Sequence, residues 1–141
     1  MLTSNEIMAF VATADAEAAI LFYRDRLGLR LVGDTAFALE FEAGELPTML
    51  RVQKVGAVVA APYTVLGWKV EKLGEEVEAL AKRGIVFERF DGLEQDEGGI
   101  WTSPSGALIA WFKDPDGNVL SLTQLPPTTA PIAGGAPVPA Q

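Results

Sequence analysis

The chain has no cysteine and no histidine among its 141 residues. Without cysteine there is no disulfide, no thiolate metal site and no thiol nucleophile, and the redox compartment cannot be read from thiols. Without histidine, His-dependent triads, imidazole general bases and imidazole metal ligands are excluded by composition. Positive charge is also scarce: 11 Lys and Arg stand against 19 Asp and Glu, a net charge of −8. That balance repels nucleic acid and anionic membrane surfaces. The expected partner is an unidentified small molecule, neutral or cationic; the plainer reading is that the surplus carboxylates serve solubility. Long apolar runs are missing too. Residues 55–61 fall far short of a membrane span, and residues 1–6 lack the basic start and apolar stretch of a signal peptide, so the expected location is the cytoplasm.

What is present fits one small domain, with 49% hydrophobic and 21% charged residues. The pattern predicts a strand over 6–12, then a helix over 15–27 with Asp15 as N-cap, Gly28 as its stop, and Ala19, Phe22, Tyr23 and Leu27 on one face. Strands over 29–32, 37–42 and 49–53 follow. A second unit repeats the plan: a strand over 64–70, a helix over 73–83 with Val77, Leu80 and Ala81 inward, and strands over 85–89, 99–102, 107–112 and 119–124. Glu75, Glu76 and Glu78 suit the start of that helix through its dipole.

Two segments carry more information. Phe112-Lys113-Asp114-Pro115-Asp116-Gly117-Asn118 combines Asp-Pro and Asp-Gly with apolar flanks, which by itself indicates a hairpin turn and accounts for both carboxylates. Far upstream lies Phe22-Tyr23-Arg24-Asp25-Arg26-Leu27-Gly28-Leu29. In this order and at this separation the pair resembles the vicinal oxygen chelate superfamily of glyoxalases, extradiol dioxygenases, fosfomycin-resistance enzymes and bleomycin-binding proteins. The resemblance spans roughly residues 5–125. It implies an α+β fold of two βαβββ modules, about 5–54 and 63–125, whose sheets form a concave cleft, commonly completed by a second copy; a homodimer is therefore expected.

The resemblance also implies where a metal would sit. Relatives carry ligands on the first strand of each module, a fixed distance ahead of the helix start, and a glutamate after the second hairpin turn. With helix starts at Asp15 and Lys72, these positions fall here on Met8, Val65 and Ser121. The fourth falls within 47–51, where no residue is His, Asp or Glu. A thioether, a side chain with no donor and a neutral hydroxyl suit a hard divalent ion poorly, so no metal and no other cofactor is expected.

Strand periodicity extends these positions to a surface. If Met8, Val65 and Ser121 face the cleft, so do Phe10, Gly67, Lys69, Val119 and Thr123, while Leu66, Trp68, Leu120 and Leu122 face the helices. Arg51 has two readings: a bidentate partner for a carboxylate or phosphate, or a strand residue exposed or paired with Glu40 or Glu42. Trp101 and Trp111 likewise read either as an aromatic wall for a planar ligand or as core. Phe22 and Tyr23 read as packing residues. Glu40, Glu42 and Glu45 offer a general base only if one of them reaches the cleft.

Residues 126–141 hold five of the nine prolines and almost no charge, a composition that builds no core of its own. Disorder is the expectation, with an extended strap across a second subunit as the alternative. Three functions compete: a metal-free small-molecule binder like the bleomycin-binding branch, a metal-dependent glyoxalase-like lyase or isomerase or a dioxygenase, and an accessory subunit. The missing donors favour the first, with Met8, Phe10, Arg51, Val65, Gly67, Trp101, Trp111 and Ser121 as the binding surface.

Overall fold

Alternation of apolar and exposed residues marks the edge strands of the computed structural model, which describes residues 1–127. In β1 (Met8–Thr13) Val11 and Thr13 are buried while Met8 and Phe10 stay 43% and 49% exposed. Asp15 then caps a helix, its carboxylate accepting from the Ala18 N–H. This helix, α1 (Ala16–Ile20), widens into a π-helical stretch over Leu21–Arg26, where Leu27 N–H bonds back to Phe22 O. Gly28, at φ 79°, ends it in a conformation that costs glycine little. β2 (Arg30–Asp34), β3 (Ala38–Ala43) and β4 (Thr48–Lys54) complete a sheet ordered β1-β4-β3-β2, with β1 parallel to β4 and the other pairs antiparallel.

The second module repeats that plan with β5 (Thr64–Lys69), α2 (Leu73–Lys82), β6 (Trp101–Thr102), β7 (Leu108–Lys113) and β8 (Val119–Gln124), ordered β5-β8-β7-β6. The expected α+β fold of two βαβββ modules is therefore present. Lys72 supplies no cap to α2; instead the Leu73 N–H donates to the Gln124 carboxamide oxygen of β8. The buried face of α2 is Leu73, Val77 and the half-buried Leu80, whereas Ala81, expected inward, is exposed. No helix among the described residues is long and apolar enough to cross a membrane.

One predicted strand is absent. Residues 85–89 make only an isolated bridge, Phe87 to Phe112. The Gln95 carboxamide is the reason: it donates to Glu88 O and Gly99 O and accepts from Phe90 N–H, taking backbone partners that a strand would have used. Residues 128–141, most of the segment expected to be disordered or to strap a second subunit, lie outside the described residues.

Both helices cover one side of the sheets and share one core. Tyr23 packs on Phe41 of β3 at 5.7 Å between ring centroids, and its neighbour Phe22 reaches Phe112 of the second module at 6.2 Å. Trp68 stacks on Phe112 at 6.4 Å, which makes it a core residue, as its phasing predicts. Burying rings such as Tyr23, Phe41 and Phe112 contributes about 2 kcal/mol each.

The β7–β8 turn fastens the modules together. Asp114 is buried, and its carboxylate accepts from the Tyr23 hydroxyl at 2.7 Å, from the Asn118 carboxamide at 2.8 Å, and from the N–H groups of Asp116 and Asn118. The Asn118 carboxamide also donates to Ala12 O, and Asp116 Oδ1 accepts from Ala14 N–H, 102 residues away in sequence. The two carboxylates thus belong to a turn that grips the end of β1 and the start of α1.

Candidate functional site

The helices leave the opposite side of both sheets uncovered, and strand register lays out what stands on it. Across the first module run two rows: Met8, Met49, Glu42 and Arg30, then Phe10, Arg51, Glu40 and Gly33. Across the second run Gly67, Ser121 and Trp111, flanked by Lys69, Thr123, Ile109 and Trp101. Seven of the eight residues expected to line the surface, Met8, Phe10, Arg51, Gly67, Trp101, Trp111 and Ser121, therefore share the helix-free face, while Val65, 41% exposed, falls at an irregularity of β5 and has no register partner. They fall into two groups, since β1 and β5 are adjacent edges that form no ladder with each other.

The tryptophans form a cluster. Trp101 and Trp111 lie 6.0 Å apart between centroids, and Phe90 meets Trp111 edge-on at 5.2 Å. All three are part-exposed, with Phe90 at 38%. Sequence reasoning missed Phe90 because it sits beyond the segment misread as a strand, where no periodicity phases it. Beside the cluster Ser121 is only 7% exposed. Its hydroxyl points at Gly67, where an added Cβ would come within 2.8 Å of Ser121 Oγ.

The charged residues of the first module do not pair as expected. Glu42 binds Arg30. Glu40, directly opposite Arg51, turns its carboxylate the other way, so that a Cβ added to Gly33 would stand 3.2 Å from Glu40 Oε2. Arg51 forms no ion pair among the described residues, and its Nε is buried without a hydrogen-bond partner. The reading that Arg51 pairs with Glu40 or Glu42 is thus corrected.

The residues at the implied metal positions do not fit a divalent ion. Gly67 stands beside Ser121 and Met8 beside Met49, while Val65 falls at an irregularity of β5 between Thr64 and Leu66. Two thioethers, a glycine and one hydroxyl offer no carboxylate or imidazole. Among the described residues no three Asp or Glu converge closely enough to hold a metal ion.

A recess lies at the seam between modules, at the end remote from the β7–β8 turn. It has about 340 Å³ of space between Ile7, Ala9 and Leu50 on one side and Leu66, Trp68 and Lys69 on the other.

Residues 5–122 match the model of the Glyoxalase/Bleomycin resistance protein/Dioxygenase superfamily. Among solved structures, the chain is similar to a member of that superfamily from Sphaerobacter thermophilus, with a TM-score of 0.70 and 22% identity over 88% of this chain and 99% of that one. A glyoxalase family protein from Enterococcus faecalis gives 0.66 and 23%, covering 86% and 99%. The lactoylglutathione lyase from Agrobacterium tumefaciens gives 0.62 and 21%, covering 85% and 93%. At such identities these likenesses speak for the fold alone. A comparison with curated proteins finds no match.

Proposed function

The chain belongs to the Glyoxalase/Bleomycin resistance protein/Dioxygenase superfamily, and we propose that within it this protein binds a small molecule on the helix-free face without a metal ion. The observation that carries this reading is that the positions where the resemblance implies metal ligands hold Met8, Val65 and Ser121, on a surface that also carries Phe10, Trp101 and Trp111. Such a surface binds by removing apolar area from water and by stacking on indole rings, each able to cover 150–250 Å². Met8, Val65 and Ser121 offer no carboxylate or imidazole to hold an ion that would polarise vicinal oxygens or activate dioxygen, so the lyase, isomerase and dioxygenase readings find no support in these residues. We take the working unit to be a homodimer, as the resemblance implies.

Divalent ions test the reading directly. A ligand that binds only the folded state stabilises it by RT ln(1 + [L]/Kd), so an ion held at micromolar Kd adds about 4 kcal/mol at millimolar concentration. Magnesium, manganese, iron, cobalt, nickel and zinc are expected to leave the melting temperature unchanged, while planar aromatic compounds raise it and quench tryptophan fluorescence. A stoichiometric metal in protein purified without chelator, or turnover that a chelator abolishes, sinks the proposal.

A further inference from the structure

The acidity of the whole chain favours a neutral or cationic ligand, but its charges are unevenly placed. Strand residues on the helix-free face comprise four cations, Arg30, Arg51, Lys69 and Lys113, and two carboxylates, Glu40 and Glu42. That is a local excess of two positive charges on a protein of net −8. Arg30 is satisfied by Glu42. Lys69 and Lys113 are exposed and solvated, leaving Arg51 as the cation set into the surface.

Arg51 is half-buried, its Nε has lost water contact, and no described residue accepts from it. A buried guanidinium donor without an acceptor is costly, and the nearest carboxylate by register is turned toward β2. Beside it on β1 stands Phe10, 49% exposed, with Met8 one row further along. With Nε closed to solvent, the donors open to a ligand are the two terminal guanidinium nitrogens, whose spacing matches two oxygens of a carboxylate or phosphate. We infer that Arg51 is an anion subsite, and that the ligand of this face is an organic acid whose carboxylate or phosphate oxygens accept from Arg51 while its apolar body lies on Phe10 and Met8. This assignment rests on the small-molecule-binding reading and reverses the charge expected from composition.

Calorimetric titration with four probes sharing one ring system tests it: 2-naphthoate, 2-naphthyl phosphate, 2-naphthamide and 2-naphthylmethylamine. Both anions are expected to bind at least about tenfold more tightly than the amide, the scale of one hydrogen bond to a charged group, and the amine more weakly still. Their ratio tells carboxylate from phosphate. Arg51→Met should bring both anions to the affinity that the amide has for the same variant, and leave the melting temperature of the free protein equal or higher, because an orphaned donor has been removed. Arg51→Lys should retain part of the preference. An amide or amine that binds as tightly as the anions overturns the anion subsite and leaves the small-molecule reading standing. So does an Arg51→Met protein that keeps the preference, or one that melts lower and loses the amide. Failure of all four probes overturns both.

Discussion

Tyr23 is the residue on which the two halves of the chain meet, and its hydroxyl has a single named acceptor, Asp114. Tyr23→Phe keeps the ring packing and removes one hydrogen bond to a buried carboxylate, so it should cost about 2 kcal/mol in urea or thermal denaturation. Burial foremost, then the charge of Asp114 and the hydrogen bond to it, hold the phenol protonated well above the usual tyrosine range. The folded protein therefore binds this proton more tightly than the unfolded chain. The resulting stability is complete below the unfolded pKa of about 10 and declines as pH rises beyond it. Stability measured from pH 8 to 11 should fall in the native protein, and that fall should be smaller in Tyr23→Phe. Both residues were visible in the sequence as parts of two distant segments. Their contact was not, because spacing along a chain carries no information about which turn closes on which helix.

Among the elements, β5 shows where strand periodicity informs and where it fails. The alternation that placed Gly67 and Ser121 on one face was legible in the sequence, since a two-residue period survives in any half-buried strand. The irregularity after Thr64, which leaves Val65 without a partner and brings Gly67 rather than Leu66 beside Ser121, was not, because it depends on how β5 meets β8. Gly67→Ala would bring a Cβ to 2.8 Å from Ser121 Oγ and 3.2 Å from Ser121 O, and should destabilise by about 1–3 kcal/mol. Ser121→Ala removes the closer of these contacts, so the double variant should lose less than the sum of the two; a double-mutant cycle in urea measures the difference, and strict additivity refutes the contact. The segment after α2 was misread for a related reason. Its β-branched and aromatic residues Ile85, Val86 and Phe87 read as a strand, but a glutamine side chain satisfies the backbone in place of a neighbouring strand.

At the scale of the molecule, one hydrophobic cluster draws on both modules, with Phe22, Tyr23 and Phe41 from the first and Phe112, Leu120 and Leu122 from the second. Unfolding should accordingly be a single transition. The tryptophans all lie in the second module, so their fluorescence reports that half, while far-UV circular dichroism reports both. The two curves should coincide, and a separation would mean that the modules unfold independently. Sedimentation at micromolar concentration tests the homodimer; a monomer alone would remove it. The seam between β1 and β5 has no ladder of backbone hydrogen bonds, and the joining residues 55–57 are exposed. Continuity of the chain at that point therefore contributes proximity rather than structure. Fragments 1–58 and 59–141, produced separately, should each remain unfolded for want of half a core, and on mixing should assemble into a native-like heterodimer by fragment complementation, with tryptophan emission returning to that of the intact chain.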